Sequence, residues 1–417
     1  MVTIIFLIMS LFIVWLQYVR EKNMVNLVSL LVMPYFAIVL FNNFFFYRLG
    51  FYKIEDNVLI MILASLLTFF AGSCFVAPEK TPLIFEEDNP DRFSKYNVLA
   101  MKKALYIIGF IGLVKVVQFY VTGQFSAERF DEAEGLMGNG IVGHLLLVSY
   151  SILPIVFLYW LEHKKEISYL FATIFIVAVT FTSLVKYNVI GVVVSLFIFT
   201  TVYKKSLLRK SLILLVTIVV ALFVGNYLLG FYLRNVNVAS SFYINHLWVY
   251  VSGSPIYDKY IFNPGINTEL SVGHKLMTFL MAFPNMFIKR FFGGEGLFPH
   301  LKKSFLPIGT QYGQVSNVTD AFGYLYPAKG DFMELVFYFA ALLVLGFVFS
   351  RAYMKAKRKS EYFNTFMCNL ITYFIFFSFF GTFYINPGPW EMLIYSLIVP
   401  SLFLNSTNLR RGIIHLS

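Results

Sequence analysis

Long apolar segments separated by short charged turns constrain this chain more than any other feature of its sequence. A helix that crosses the hydrocarbon core of a bilayer needs roughly 17–25 mostly apolar residues. Eleven segments have this character: 2–19, 24–47, 57–77, 97–121, 140–161, 167–184, 187–203, 209–230, 332–350, 362–380 and 390–406. The sequence therefore predicts an all-α polytopic membrane protein with about 11 transmembrane helices.

The composition excludes a water-soluble domain. Hydrophobic residues make up 59% of the 417 positions and charged residues only 13%, which is more apolar than a soluble core requires. Cys74 and Cys368 each lie inside an apolar segment, so neither a disulfide framework nor a zinc site is indicated. Membrane lipids are expected as partners, and nucleic acid is not.

Lysine and arginine residues set the predicted orientation. Counted on alternate sides of the spans, twenty lie on one side, and the short loops of the other side hold only Arg48, Lys53, Arg129 and Lys186. Because basic loops stay in the cytoplasm, we expect an external N-terminus and a cytoplasmic C-terminus. The chain then divides into spans 1–8 (1–230), a large external loop (231–331), and spans 9–11 with the C-terminus (332–417).

Two segments of the large loop resemble membrane elements. Leu276–Phe292 is apolar enough for a twelfth span, but a crossing there would place the basic run Arg351–Lys359 outside. The segment Leu276–Phe292 predicts a re-entrant or interfacial helix that Pro284 breaks, with Lys289 and Arg290 meeting the lipid headgroups. The segment Ser241–Gly253 is shorter and rich in aromatic residues, which favours an interfacial element.

Cations mark several points where the chain leaves the bilayer on the external side. The stretch "GFYLRNVN" ends the eighth span and places Arg234 at the start of the large loop. Arginine binds phosphate oxygens in pairs, and lysine offers a compact charge, so a lipid pyrophosphate is a suitable anion. The alternative is that these residues only anchor helix ends in anionic headgroups. The candidates are Arg129, Lys186, Arg234, Lys289 and Arg290, with Lys115 inside the fourth span.

Metal binding is a minor alternative. Glu128 and Glu132 share one helical face in "SAERFDEAEG", a spacing that suits a divalent ion. The six histidines form no HxxH or HExxH pattern. We therefore expect a metal-independent protein without a cofactor.

The chain resembles the bacterial O-antigen and capsular-polysaccharide polymerases, the Wzy-like oligosaccharide repeat-unit polymerases. The resemblance rests on "FTSLVKYNVIGVVVSLFIF", "LRNVN", "YVSGSPIYDKY" and "NVTDAFGYLYPAKGDFMELVFYFAALLVLGFVFSRAYMKAKRK". It covers most of the chain and implies a GT-C-like fold in a bacterial inner membrane. It also admits a chain-length regulator protein as a partner.

The resemblance implies glycosyl transfer from undecaprenyl pyrophosphate to a sugar hydroxyl of the next lipid-linked oligosaccharide unit. Such a reaction needs cations for the pyrophosphate and a general base for the hydroxyl. The candidate bases in the large loop are Asp258, Glu295, His274 and His300. An O-antigen ligase would share these features. A flippase is expected to show internal repeats and ionisable residues in several spans, whereas Lys115 is the interior charge evident in the sequence.

Overall fold

The structure is a computed structural model. It describes residues 1–22, 26–78, 96–121, 140–163, 166–182, 186–203, 208–233, 240–262, 270–292, 297–298, 304–311, 314–327, 331–358, 362–381 and 387–404. These residues are almost wholly helical, which confirms the all-α class.

Fifteen α-helices follow one another along the described residues. They are α1 (Val2–Glu21), α2 (Leu27–Phe44), α3 (Asp56–Cys74), α4 (Val98–Val121), α5 (Gly140–Glu162), α6 (Ile167–Thr182), α7 (Lys186–Tyr203), α8 (Leu208–Leu233), α9 (Ser240–Tyr257), α10 (Val272–Leu280), α11 (Ala282–Phe292), α12 (Ala321–Leu325), α13 (Phe332–Arg358), α14 (Tyr362–Phe376) and α15 (Pro387–Ile398).

Short elements complete the described chain. Four 3₁₀ helices span Phe46–Leu49, Asp258–Phe262, Phe377–Phe379 and Val399–Phe403. Strand β1 (Leu306–Pro307) pairs antiparallel with β2 (Val315–Ser316), with Leu306 opposite Ser316.

Each of the eleven predicted spans coincides with one of the helices α1–α8 and α13–α15. Within the described residues, five helical segments are long and apolar enough to cross a membrane: α1, α2, α3, Ile141–Glu162 of α5 and Phe332–Lys355 of α13. Large apolar side chains such as Ile8 and Trp15 of α1 are more than half exposed, which suits a lipid-facing surface. The protein is membrane-embedded, and the count of eleven spans and the orientation stay predictions.

The predicted break at Pro284 is wrong. The segment does form two helices, α10 and α11, but α10 ends at the cap residue Met281. Pro284 lies in the first turn of α11, where a missing N–H costs little because the first amides of a helix have no intrahelical acceptor. The break is therefore three residues earlier than the proline suggests.

The described chain packs as two compact units. Unit 1 comprises Met1–Pro82, Val238–Lys355 and Ile371–Pro389, and unit 2 comprises Leu83–Asn237, Ala356–Leu370 and Trp390–Ser417. Unit 1 therefore contains α1–α3 together with most of the segment predicted as the external loop. Unit 2 contains α4–α8 and most of α15.

Glycines allow helices of unit 1 to touch through their backbones. A Cβ atom at Gly72 of α3 would lie 2.1 Å from the carbonyl oxygen of Leu343, and one at Gly346 of α13 would lie 2.2 Å from that of Phe69. Small residues at such crossings are typical of helix packing in membranes, because dispersion contacts replace the hydrophobic effect as the driving force. The α3–α13 contact therefore depends on both glycines.

Unit 2 is a bundle built around α4, α5 and α6. Its buried core includes Leu153 and Phe157 of α5 and Ile176 of α6. A Cβ at Gly109 of α4 would lie 2.6 Å from the ring of Phe175, so the helices approach closely there too.

Candidate functional site

Two buried carboxyl groups form the most unusual polar feature of unit 1. Asp258 is the first residue of the 3₁₀ helix that follows α9, and Asp320 is the N-cap of α12; both are fully buried. The Asp320 backbone N–H donates to Asp258 Oδ1 at 3.3 Å, and the two carboxyl groups lie against each other. We call these two residues the acid pair.

Local chain geometry explains how the pair forms. Asp320 Oδ1 accepts a hydrogen bond from the backbone N–H of Gly323 at 2.6 Å, as aspartate does at many helix N-termini. A Cβ at residue 323 would lie 2.6 Å from Asp258 Cγ, so Gly323 lets the Asp258 carboxyl pack directly on the backbone of α12. The pair therefore fastens the 3₁₀ helix to α12.

A tyrosine hydroxyl from another element faces the acid pair. Tyr35 of α2 is buried beside Asp320, and Ser378 of the 3₁₀ helix Phe377–Phe379 is buried beside Tyr35. The Tyr35 side chain interacts with both Asp320 and Ser378, but among the described residues Asp320 Oδ2 and the two hydroxyls form no hydrogen bond of good geometry. Buried oxygens without a well-formed hydrogen bond are rare in native structures.

Burial changes the proton affinity of the pair. Loss of solvent raises the pKa of Asp320 to about 6, although hydrogen bonds with Asp258 and the Gly323 amide oppose the rise. Neighbouring carboxyl groups resist double ionisation, so the pair holds a proton more readily than exposed aspartates do.

The other candidates predicted from the sequence lie in unit 1, in unit 2 or outside the described residues. His274 lies in α10, with its ring edge-on to Phe298 at 5.1 Å and its Nε2 buried without a hydrogen-bond partner among the described residues. Lys289 and Arg290 lie in α11, also in unit 1. Lys115 is partly exposed on α4 and Lys186 begins α7, both in unit 2. Arg129, Arg234, Glu295 and His300 lie outside the described residues.

One of the predicted candidates, Asp258, thus belongs to a chemically distinctive cluster. Its partner Asp320 was missed, because "TDAFGY" reads as an ordinary helix cap. Within the searched part of the chain no group of three metal-binding side chains occurs. Glu128 and Glu132, the minor metal alternative, lie outside the described residues.

A second polar cluster lies in unit 2 and was also missed. His144 of α5 is hydrogen-bonded through Nδ1 to Oε1 of Glu391 in α15, and the Tyr395 hydroxyl donates to the same oxygen at 2.6 Å. The Glu391 side chain is 11% exposed and that of His144 is 27% exposed. The spans therefore hold more ionisable residues than Lys115. No local spacing could reveal this cluster, because its two helices are far apart in the chain.

Searches against protein-family models, curated proteins and solved structures returned no match for this chain.

Proposed function

We propose that this protein polymerises lipid-linked oligosaccharide repeat units by glycosyl transfer from undecaprenyl pyrophosphate at the external membrane face. The observation that supports the proposal is the acid pair. Two carboxyl groups buried together destabilise a fold unless other interactions offset the cost of their desolvation. A loop that only connects two spans would gain nothing from such a pair. Strongly shifted carboxyl pKa values are concentrated at catalytic sites.

The chemistry requires one proton acceptor. The acceptor hydroxyl oxygen forms a bond to the anomeric carbon, the bond from that carbon to the pyrophosphate oxygen breaks, and undecaprenyl pyrophosphate leaves with the bonding electrons. In the proposed reaction the hydroxyl proton passes to Asp258. A base works best when its pKa lies near the working pH, and burial raises the pKa of the neighbouring Asp320 carboxyl to about 6.

Access to the pair is part of the proposal. Both carboxyl groups are fully buried, so the acceptor sugar reaches Asp258 only when the contact between the 3₁₀ helix and α12 opens. Asp320 acts as a positioning residue, since it holds the Asp258 carboxyl through its backbone amide and shares its proton.

The test uses the bacterium that encodes this chain, with the chromosomal gene deleted. We expect single repeat units to be made, exported and attached, with one short band in place of a ladder when carrier-linked and attached glycans are separated on a gel. Wild-type protein should restore the ladder. An intact ladder retained on the carrier would instead indicate a ligase, and single units trapped on the cytoplasmic side would indicate a flippase.

Variants then test the acid pair. Asp258→Asn should reduce polymer by about a hundredfold or more, as loss of a general base does, at normal protein abundance on an immunoblot. Asp331→Asn is the matched control, because Asp331 is an exposed aspartate that caps the start of α13. A wild-type ladder from Asp258→Asn would remove Asp258 from the mechanism.

A further inference from the structure

Three cations in unit 1 lie against three tyrosine rings. Lys53 Nζ lies 4.2 Å from the centre of the Tyr47 ring, and the Arg48 guanidinium carbon lies 5.8 Å from it. Lys259 Nζ lies 3.8 Å from the ring centre of Tyr52 and 4.9 Å from that of Tyr260. The two groups are joined through the consecutive residues Tyr52 and Lys53, and we call the six residues the cation–tyrosine cluster.

Backbone hydrogen bonds fix the loops that carry the cluster. The Tyr52 N–H donates to the Ile308 carbonyl at 2.9 Å, and the Thr310 N–H donates to the Gly50 carbonyl at 2.8 Å. The Tyr260 hydroxyl donates to the Pro307 carbonyl at 2.7 Å. The segment after α2 and the 3₁₀ helix after α9 are therefore both attached to the β1–β2 hairpin region, which holds their side chains ready for a ligand.

The cluster borders the acid pair along the chain. Asp258 is buried, and the next residue, Lys259, is partly exposed over the tyrosines. Partial burial lowers the pKa of Lys259, although Glu55 opposes the change. An ammonium group that has lost part of its water gains more from a bound anion than a fully hydrated one.

We propose that the cation–tyrosine cluster binds the diphosphate of a diphosphate-linked sugar. Lysine ammonium groups and the in-plane N–H groups of an arginine suit phosphate oxygens. Tyrosine rings offer an apolar face for the C–H groups of a sugar and a hydroxyl for its oxygens. This assignment rests on the proposed function and names the part of its substrate that the residues beside Asp258 recognise.

Two acidic side chains near the cation–tyrosine cluster oppose the binding of an anion there. Glu55 and Asp56 are exposed at the start of α3, and Glu55 interacts with Lys259. If the ligand is an anion, removal of the Glu55 charge should tighten its binding, whereas a neutral sugar would be indifferent to it.

Phosphate esters in a membrane have two sources, the carrier diphosphate and ordinary phospholipid headgroups. Lysine, arginine and tyrosine side chains also gather at membrane interfaces as anchors. A saturable preference for a diphosphate over a phospholipid phosphate separates the two sources.

The experiment measures binding without turnover, using full-length protein in phosphatidylcholine nanodiscs and geranylgeranyl pyrophosphate as the probe. The triple variant R48Q/K53Q/K259Q should bind at least about tenfold more weakly, because charge-assisted hydrogen bonds are lost. The control K103Q/R209Q/K210Q removes three exposed cations of unit 2 and should bind like wild type. Glu55→Gln should bind about twofold to threefold more tightly, as expected for removal of one exposed like charge.

Three results would overturn the assignment: no binding by wild type, equal weakening in both triple variants, or displacement of the probe by an equal concentration of phosphatidylglycerol. Thermal unfolding of each variant serves as the folding control. Because the measurement involves no polymer, its failure leaves the deletion-strain test of the proposed function standing, and a failed deletion-strain test leaves the binding result standing.

Discussion

Asp258 and Asp320 are 62 positions apart in the chain, and their contact depends on the local geometry at the start of α12. The missing Cβ of Gly323 lets the Asp258 carboxyl reach α12, and the Asp320 side chain caps the same helix. Asp258 was predicted as a candidate base from its place in the large loop. Asp320 could not be predicted, because helix capping accounts for an aspartate at that position equally well.

The first prediction concerns the effect of pH on the stability of the acid pair. The folded-state pKa of Asp320 is raised from 3.8 to about 6, so between these values the folded state binds more protons than the unfolded state. Stability therefore falls as pH rises through this window, by up to about 3 kcal/mol for the full shift. Asp258, Tyr35 and Tyr338 are the titratable groups that face Asp320.

The measurement is the thermal unfolding midpoint of detergent-solubilised protein from pH 4 to pH 7.5. Asp320→Asn keeps the helix cap, since asparagine caps as well as aspartate, and removes the titration. The midpoint of the variant relative to wild type should therefore rise with pH. A pH-independent difference for Asp320→Asn would mean that Asp320 titrates normally.

At the scale of elements, the helices agree well with the apolar segments read from the sequence. The eighth predicted span, 209–230, corresponds to α8 at Leu208–Leu233, and 140–161 corresponds to α5. The length of an apolar segment is a local property of the sequence, so it can be predicted without knowing which helices pack against that segment. The break near Met281 was misplaced because a proline in a first helical turn is compatible with the helix that follows it.

The second prediction tests the backbone contact between α3 and α13. Gly72→Ala should destabilise unit 1 by about 1–3 kcal/mol or more, because its Cβ would overlap the Leu343 carbonyl oxygen and force the helices apart. Gly225→Ala in α8 is the control, since a Cβ there meets nothing within 4 Å.

The measurement is again the unfolding midpoint, together with the yield of folded protein. Gly225→Ala should be neutral or slightly stabilising, because alanine favours helix more than glycine does. Equal behaviour of the two variants would contradict the close α3–α13 approach.

At the scale of the whole molecule, the distribution of basic residues is the basis for orientation. The third prediction follows from the excess of twenty against four and from the positive-inside rule. An externally active reporter fused after Gly265 should be active, and the same reporter fused after Lys357 should be inactive. The reverse pattern would place the acid pair on the cytoplasmic side and contradict a reaction at the external membrane face.

The sequence by itself determined that the chain is all-α and membrane-embedded, because the length of an apolar segment depends only on consecutive residues. It also predicted Asp258 among the candidate bases. Only the tertiary structure placed Asp320 against Asp258, Lys259 over Tyr52, and His144 against Glu391. Each of these pairs joins elements distant in the chain, so the contact depends on how those elements pack. Periodicity records which face of a helix is apolar but carries no information about which partner covers it.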